Sequence, residues 1–112
     1  MQNDYCKVYV DSDRTKREII DLVRSLTGGV IEGRATIRMS HCVIDVEEND
    51  DFDIDKRHTL ADGFIYYRFY FDVEPLPERD RVAYIEAVAA LLRGLGAAGV
   101  KATPACDFEE QL

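Results

Sequence analysis

The sequence predicts an α+β domain in which an antiparallel sheet carries two helices on one face. Three observations carry this reading. Residues 5–10 and 64–73 alternate apolar and polar side chains with the period of two that a half-buried strand requires. Residues 15–27 and 78–98 place apolar side chains at the three-to-four spacing of an amphipathic helix. These segments interleave along a chain of 112 residues, 46% of them hydrophobic, so one chain-wide core is expected rather than two domains.

The elements follow in order. Tyr5-Cys-Lys-Val-Tyr-Val10 is rich in strand formers and reads as the first strand. Asp11-Ser12-Asp13 turns the chain. Thr15 with Glu18 three residues later has the pattern of a capping box, in which each side chain bonds the other residue's backbone N–H. Ile19, Leu22, Val23 and Leu26 then form the apolar stripe of the first helix, and Gly28-Gly29 ends it.

From Val30 to Val46 the pattern is again strand-like but changes phase. Ala35, Ile37 and Met39 share one face, whereas Cys42, Ile44 and Val46 fall on the other. A bulge or break near Ser40-His41 reconciles the two. A long polar connection leads to Phe64–Val73, the strongest strand signal in the chain. Pro75 and Pro77 close that strand. The second helix, from about Glu78 to Ala98, has Val82, Ile85, Ala89 and Leu92 as one stripe, widened by Val88, Leu91 and Leu95, with Gly99 as its stop. Val100–Cys106 is a short last strand, and residues 107–112 form an acidic C-terminal tail to a single domain spanning 1–112.

The expected order is therefore β-α-β-β-α-β, the split βαβ or ferredoxin-like arrangement. Right-handed crossovers would set the first and third strands in the middle of the sheet and the second and fourth at its edges.

Charge is the second theme. Between Asp45 and Asp55, seven of eleven residues are carboxylates, and the chain as a whole carries 22 acidic against 14 basic side chains, a formal charge of −8. Like charge at this density repels itself unless water or a partner offsets it. The connectivity expected above brings Asp11 and Asp13 to the same end as Asp45, Glu47, Glu48, Asp50, Asp51, Asp53 and Asp55, so a main acidic cluster forms around the long hairpin. On the helix-free face, alternation sends Tyr5, Lys7 and Tyr9 outward from the first strand, and Tyr66, Arg68, Tyr70 and Asp72 outward from the third. Tyrosines give large contact areas with polar tips, which suits an interface, although they also serve simply to cover an exposed sheet.

Other chemistries find less support. A domain with a charge of −8 repels phosphates, so nucleic acid is not an expected partner. No apolar run approaches the roughly 18 residues of a membrane span. The start of the chain lacks the positive and apolar blocks of a signal peptide, so a cytoplasmic location is expected.

Asp51, Asp53, Asp55 and Asp62 faintly follow the spacing of a calcium loop, but Lys56 stands where that loop needs glycine, and no metal or cofactor is expected. His41 and Cys42 are strand neighbours that point to opposite faces, and no phosphate loop or GxSxG is present, so no catalytic residue is assigned and an enzyme is not expected. Three cysteines, Cys6, Cys42 and Cys106, lack paired spacing. Cys6 and Cys106 can meet between the first and last strands, as packed thiols or as a redox pair.

The segments Tyr5-Cys-Lys-Val-Tyr-Val-Asp-Ser-Asp13, Phe64-Ile-Tyr-Tyr-Arg-Phe-Tyr-Phe-Asp-Val-Glu-Pro75 and Ala105-Cys-Asp-Phe-Glu-Glu110 resemble a group of short bacterial proteins of similar length. In size and acidity the chain is also similar to immunity proteins of bacterial toxin systems, including contact-dependent growth inhibition. That resemblance implies a cognate toxin domain as partner, often a basic nuclease, bound and blocked without catalysis. It carries no specific site residues, because immunity proteins share no signature. The alternative expectation is a small ligand-binding or regulatory module that forms a homodimer through its open sheet face.

Overall fold

The computed structural model describes residues 3–59, 62–78 and 80–112. The described residues form an α+β fold with one open antiparallel sheet of six strands: β1 (Cys6–Asp11), β2 (Val30–Glu32), β3 (Thr36–Arg38), β4 (Cys42–Glu48), β5 (Phe69–Pro75) and β6 (Lys101–Ala105). Two long helices, α1 (Lys16–Thr27) and α3 (Arg81–Ala97), pack on one face, while α2 (Lys56–Thr59) is a single turn in the long connection. The sheet order is β2-β3-β4-β5-β1-β6. As expected, the first strand and the Phe69–Pro75 strand lie inside the sheet, and the last strand is an edge.

The strict β-α-β-β-α-β order is not what the chain adopts. The segment expected as one bulged strand folds into three. Gly33 has φ of 65°, a left-handed conformation open to glycine at little cost, and it turns β2 back onto β3. Ser40-His41 is the second turn, closed by Met39 N–H donating to the Cys42 carbonyl at 2.9 Å. The phase change in the sequence is thus a hairpin rather than a bulge. It pairs Ile37 with Ile44, and both are buried.

The Phe64–Val73 strand is also shorter than expected. Residues 63–66 form a 3₁₀ turn, so only Phe69, Phe71 and Val73 face the core, and Ile65 is exposed. Tertiary packing decides this, because Gly63 is pressed against α2. A Cβ there would meet the Arg57 carbonyl oxygen at 2.5 Å.

The caps behave as their residue types dictate. Thr15 and Glu18 make the reciprocal capping box, and Gly28 closes α1 in the left-handed region. The Thr15 backbone N–H holds the Glu18 carboxyl below the usual carboxylate range. Asp80 caps α3 by accepting from Ala83 N–H. The buried stripe of α3 is Tyr84, Val88, Leu91 and Leu95 with Ile85, whereas Val82 is 67% exposed and belongs to the outer side.

One core lies between the helices and the inner face of the sheet. Cys6, Val8 and Val10 of β1, Cys42, Ile44 and Val46 of β4, and Phe69, Phe71 and Val73 of β5 meet Ile19, Ile20 and Val23 of α1 and the α3 stripe. Tyr84 is its polar anchor: it is fully buried, and its hydroxyl donates to the Asp4 carbonyl. The Asp4 carboxylate is itself buried and accepts from Arg81 Nε at 3.0 Å.

Residues 107–112, expected as an acidic tail, fold back instead. Phe108 is 1% exposed and meets Tyr84 edge-on with ring centroids 5.6 Å apart. Phe108→Ala should therefore cost about 3–5 kcal/mol of stability, as truncation of a buried aromatic does. A urea titration that finds less than about 1 kcal/mol would show that this segment is peripheral.

Candidate functional site

The face of the sheet opposite the helices carries the candidate site, and its make-up follows from pairing register. Residues directly opposite in antiparallel strands share a face. The β4–β5 register sets Val43 against Glu74, Asp45 against Asp72, and Glu47 against Tyr70. The β5–β1 register sets Asp72 against Lys7 and Tyr70 against Tyr9. The outer face of the three long strands therefore reads, across the sheet, Asp45-Asp72-Lys7 in one row and Glu47-Tyr70-Tyr9 in the next. Carboxylates and tyrosines that the sequence suggested for two separate surfaces share this face.

Two carboxylates opposite one another oppose folding. Here each has a donor at its side. Thr36 Oγ1 donates to Asp45 Oδ1 at 2.6 Å, and the Tyr5 hydroxyl donates to Asp72 Oδ1 in a very short bond. Lys7, beside Asp72 in the register, sets its Nζ 4.3 Å above the Tyr70 ring and 5.0 Å above that of Tyr9. The phenols record this field. Partial burial, followed by the hydrogen bond to Asp72, raises the Tyr5 hydroxyl well above the ordinary tyrosine range. Tyr70 is raised too, first by desolvation and then by Asp72 and Glu47. Glu74 is exposed and Glu47 partly exposed, so both carboxylates can meet a partner.

Other expected site residues lie elsewhere. Asp11 is mostly buried and forms an ion pair of 2.9 Å with Arg57, whose side chain is only 11% exposed. Its carboxylate thus anchors the long connection to the end of β1. Asp13 is exposed on the rim of a hollow of about 580 Å³ that also contains Arg14, Arg57 and Lys101, so charge at this end is mixed rather than uniformly acidic.

Asp50, Asp51 and Asp55 are exposed in the connection, and Glu48 is exposed at the end of β4. Asp53 accepts from the backbone N–H groups of Lys56 and Asp55, both at 2.9 Å, and so starts the α2 turn. Those bonds, that of Lys56 first, lower its carboxyl below the usual range. Tyr66 lies in the 3₁₀ turn rather than on a strand, with Lys56 Nζ 5.2 Å from its ring.

Arg68, expected beside Lys7 on the sheet face, precedes β5 and stacks its guanidinium 4.5 Å from the Phe52 ring. The Arg57 guanidinium lies 5.4 Å from the same ring. Phe64 meets Tyr9 edge-on at 5.4 Å, so the connection also covers one end of the aromatic row. Phe52, Phe64 and Glu74 were not marked by sequence reasoning. The run of aromatics and basic residues within the acidic connection was the available signal for the first two, and the alternation of β5 was the signal for Glu74.

Among the described residues, no three His, Cys, Asp or Glu side chains gather as a metal ion would require. No helix among them is long and apolar enough to cross a membrane. Comparison with known proteins finds no matching family model, no similar curated protein and no similar solved structure.

Two outcomes follow from this geometry. Arg57→Ala leaves the Asp11 charge in a largely buried site without its ion-pair partner and should cost about 3 kcal/mol in urea unfolding. The same variant should show faster amide exchange in residues 49–59, whereas unchanged exchange would detach the ion pair from the order of the connection.

The Tyr5 hydroxyl, raised in the folded state, contributes stability that is complete below its unfolded value of about 10 and declines as pH rises toward the folded value. Tyr5→Phe should lose about 0.5–1 kcal/mol at neutral pH. It should also show a shallower loss of stability above pH of about 10 than the parent. Identical alkaline slopes in the two proteins would sink this assignment.

Proposed function

We propose that the chain is a stoichiometric binding protein for a basic protein domain, of the immunity type found in bacterial toxin systems. The observation that carries this reading is the convergence of Asp45, Glu47, Asp72 and Glu74 with Tyr5, Tyr9 and Tyr70 on one open sheet face. Acid supplies long-range steering toward a positive surface, and tyrosine supplies the contact area that holds it. A nuclease-type toxin needs such a positive surface to hold phosphates, and an acidic face competes for it. The exposed carboxylates at residues 50, 51 and 55, in the connection that follows β4, add to the negative charge. Binding rather than catalysis is the role in this reading.

A homodimer through the sheet face is less favoured, because it would set this acid against its own copy. Cytoplasmic placement belongs to the same proposal, since an immunity protein meets its toxin inside the cell that makes both. We also read the fold as a split βαβ unit with an added edge hairpin. With β2 and β3 set aside, the remaining strands run β6-β1-β5-β4, and α1 packs against α3.

The test is calorimetry and stopped-flow association with any toxin-type domain encoded beside this chain, at low and moderate salt. The expected result is a tight one-to-one complex whose association slows as salt rises. Glu47→Lys with Glu74→Lys should slow association about tenfold or more at low salt. Asp51→Lys with Asp53→Lys should have a smaller effect. Loss of binding in the second pair alone would move the interface to the connection. No complex at either salt would remove the immunity reading.

A further inference from the structure

The first and last strands bring two sulfur atoms together. The β1–β6 register includes Lys7 opposite Ala105, so the next facing pair is Cys6 and Cys106. Their Sγ atoms are 3.0 Å apart. That is closer than the ~3.5–4.0 Å at which even carbon atoms rest against each other. A disulfide closes such a gap to about 2.05 Å, a movement of roughly 1 Å. Cys106 lies just beyond the end of β6, where its backbone is no longer held by the ladder. Cys42 has a different neighbour, Met39 Sδ at 3.6 Å, so the geometry singles out one pair.

We propose that Cys6 and Cys106 are a redox site that forms a reversible intramolecular disulfide with a two-electron oxidant, a peroxide or a small-molecule disulfide. Cys106 is the partly exposed member and Cys6 is fully buried, so the oxidant reaches Cys106 first. With hydrogen peroxide, the Cys106 sulfur attacks one oxygen, the O–O bond breaks, and the products are a sulfenic acid and water. Cys6 Sγ then attacks Cys106 Sγ and expels the hydroxyl, which leaves as a second water with the proton of the Cys6 thiol. Two thiols lose two electrons, and the peroxide gains them. A thiol reductant reverses the step by exchange.

Burial holds the Cys6 thiol above its usual range, which favours its role as the resolving rather than the leading sulfur. The bond would tie the start of β1 to the segment that seats Phe108 on Tyr84. It is independent of the partner proposed above.

The experiment treats the full chain with hydrogen peroxide, alkylates it under denaturing conditions, and reads intact mass and non-reduced peptides. The expected product is a monomer lacking two hydrogens, with Cys42 alone alkylated and a peptide linking residues 6 and 106. Dithiothreitol should restore all three thiols. The melting temperature of the oxidised form should rise by on the order of 10 °C, because the cross-link restrains nearly the whole unfolded chain. Cys42→Ser should form the same link, and Cys106→Ser should not. Three alkylated cysteines, sulfinic acid at Cys106 without a link, or a link between two chains would each overturn the proposal. The unmodified chain alone decides these outcomes, whatever the variants do to folding.

Discussion

Period-two alternation in β1, β4 and β5 is the constraint on which the rest of the structure depends. These strands are buried on one face and carry charge and phenols on the other, and they contribute most of the sheet side of the core. A slip of one residue in any of them would drive carboxylates into the core and apolar side chains into water. Register is therefore fixed by the same pattern that gathers the acid. The outer face costs some stability through Asp45 opposite Asp72. Hydrogen bonds from Thr36 and Tyr5 offset that cost locally, and the deeply buried inner face offsets the rest.

The long connection depends on a different kind of interaction. Few of its side chains are buried, and its order comes from polar contacts: Asp53 on the α2 backbone, Asn49 side-chain donation to the carbonyls of Ile65 and Tyr67, and the Asp11–Arg57 pair. Phe52 between two guanidiniums is its small apolar centre. Acid in this segment is thus partly structural, although composition alone shows only a dense acidic run. The distinction matters for binding, because a carboxylate already held by an internal partner contributes less to a new contact than one facing water.

Much of the fold was legible in the sequence. The capping box at Thr15 and Glu18, the glycine stop at Gly28, the first strand and the inward set Phe69, Phe71 and Val73 all follow from local rules of spacing and conformation. Elsewhere tertiary packing overrules local preference. Phe64, Ile65 and Tyr66 are good strand formers, yet the close approach of Gly63 to α2 bends them into a 3₁₀ turn. Three-residue strands such as β2 and β3 give too little alternation to be distinguished from one bulged strand.

Tyr84 rather than Val82 faces the core from α3, and hydrophobicity alone does not reveal that a tyrosine will find the Asp4 carbonyl. For the candidate site, the residue types were legible and their grouping was not. Glu47 and Tyr70 become neighbours only through register across strands, which a single sequence does not state.

The position of β1 also bears on how the chain is made. It precedes every other described strand, yet its neighbours are β5 and β6, the two that follow last. A nascent chain must therefore carry β1 with both edges open until β5 is made, and with one edge open until β6 follows. Long-range pairing of this kind slows folding and leaves strand edges exposed to other chains. Net negative charge opposes such joining, because like-charged copies repel one another.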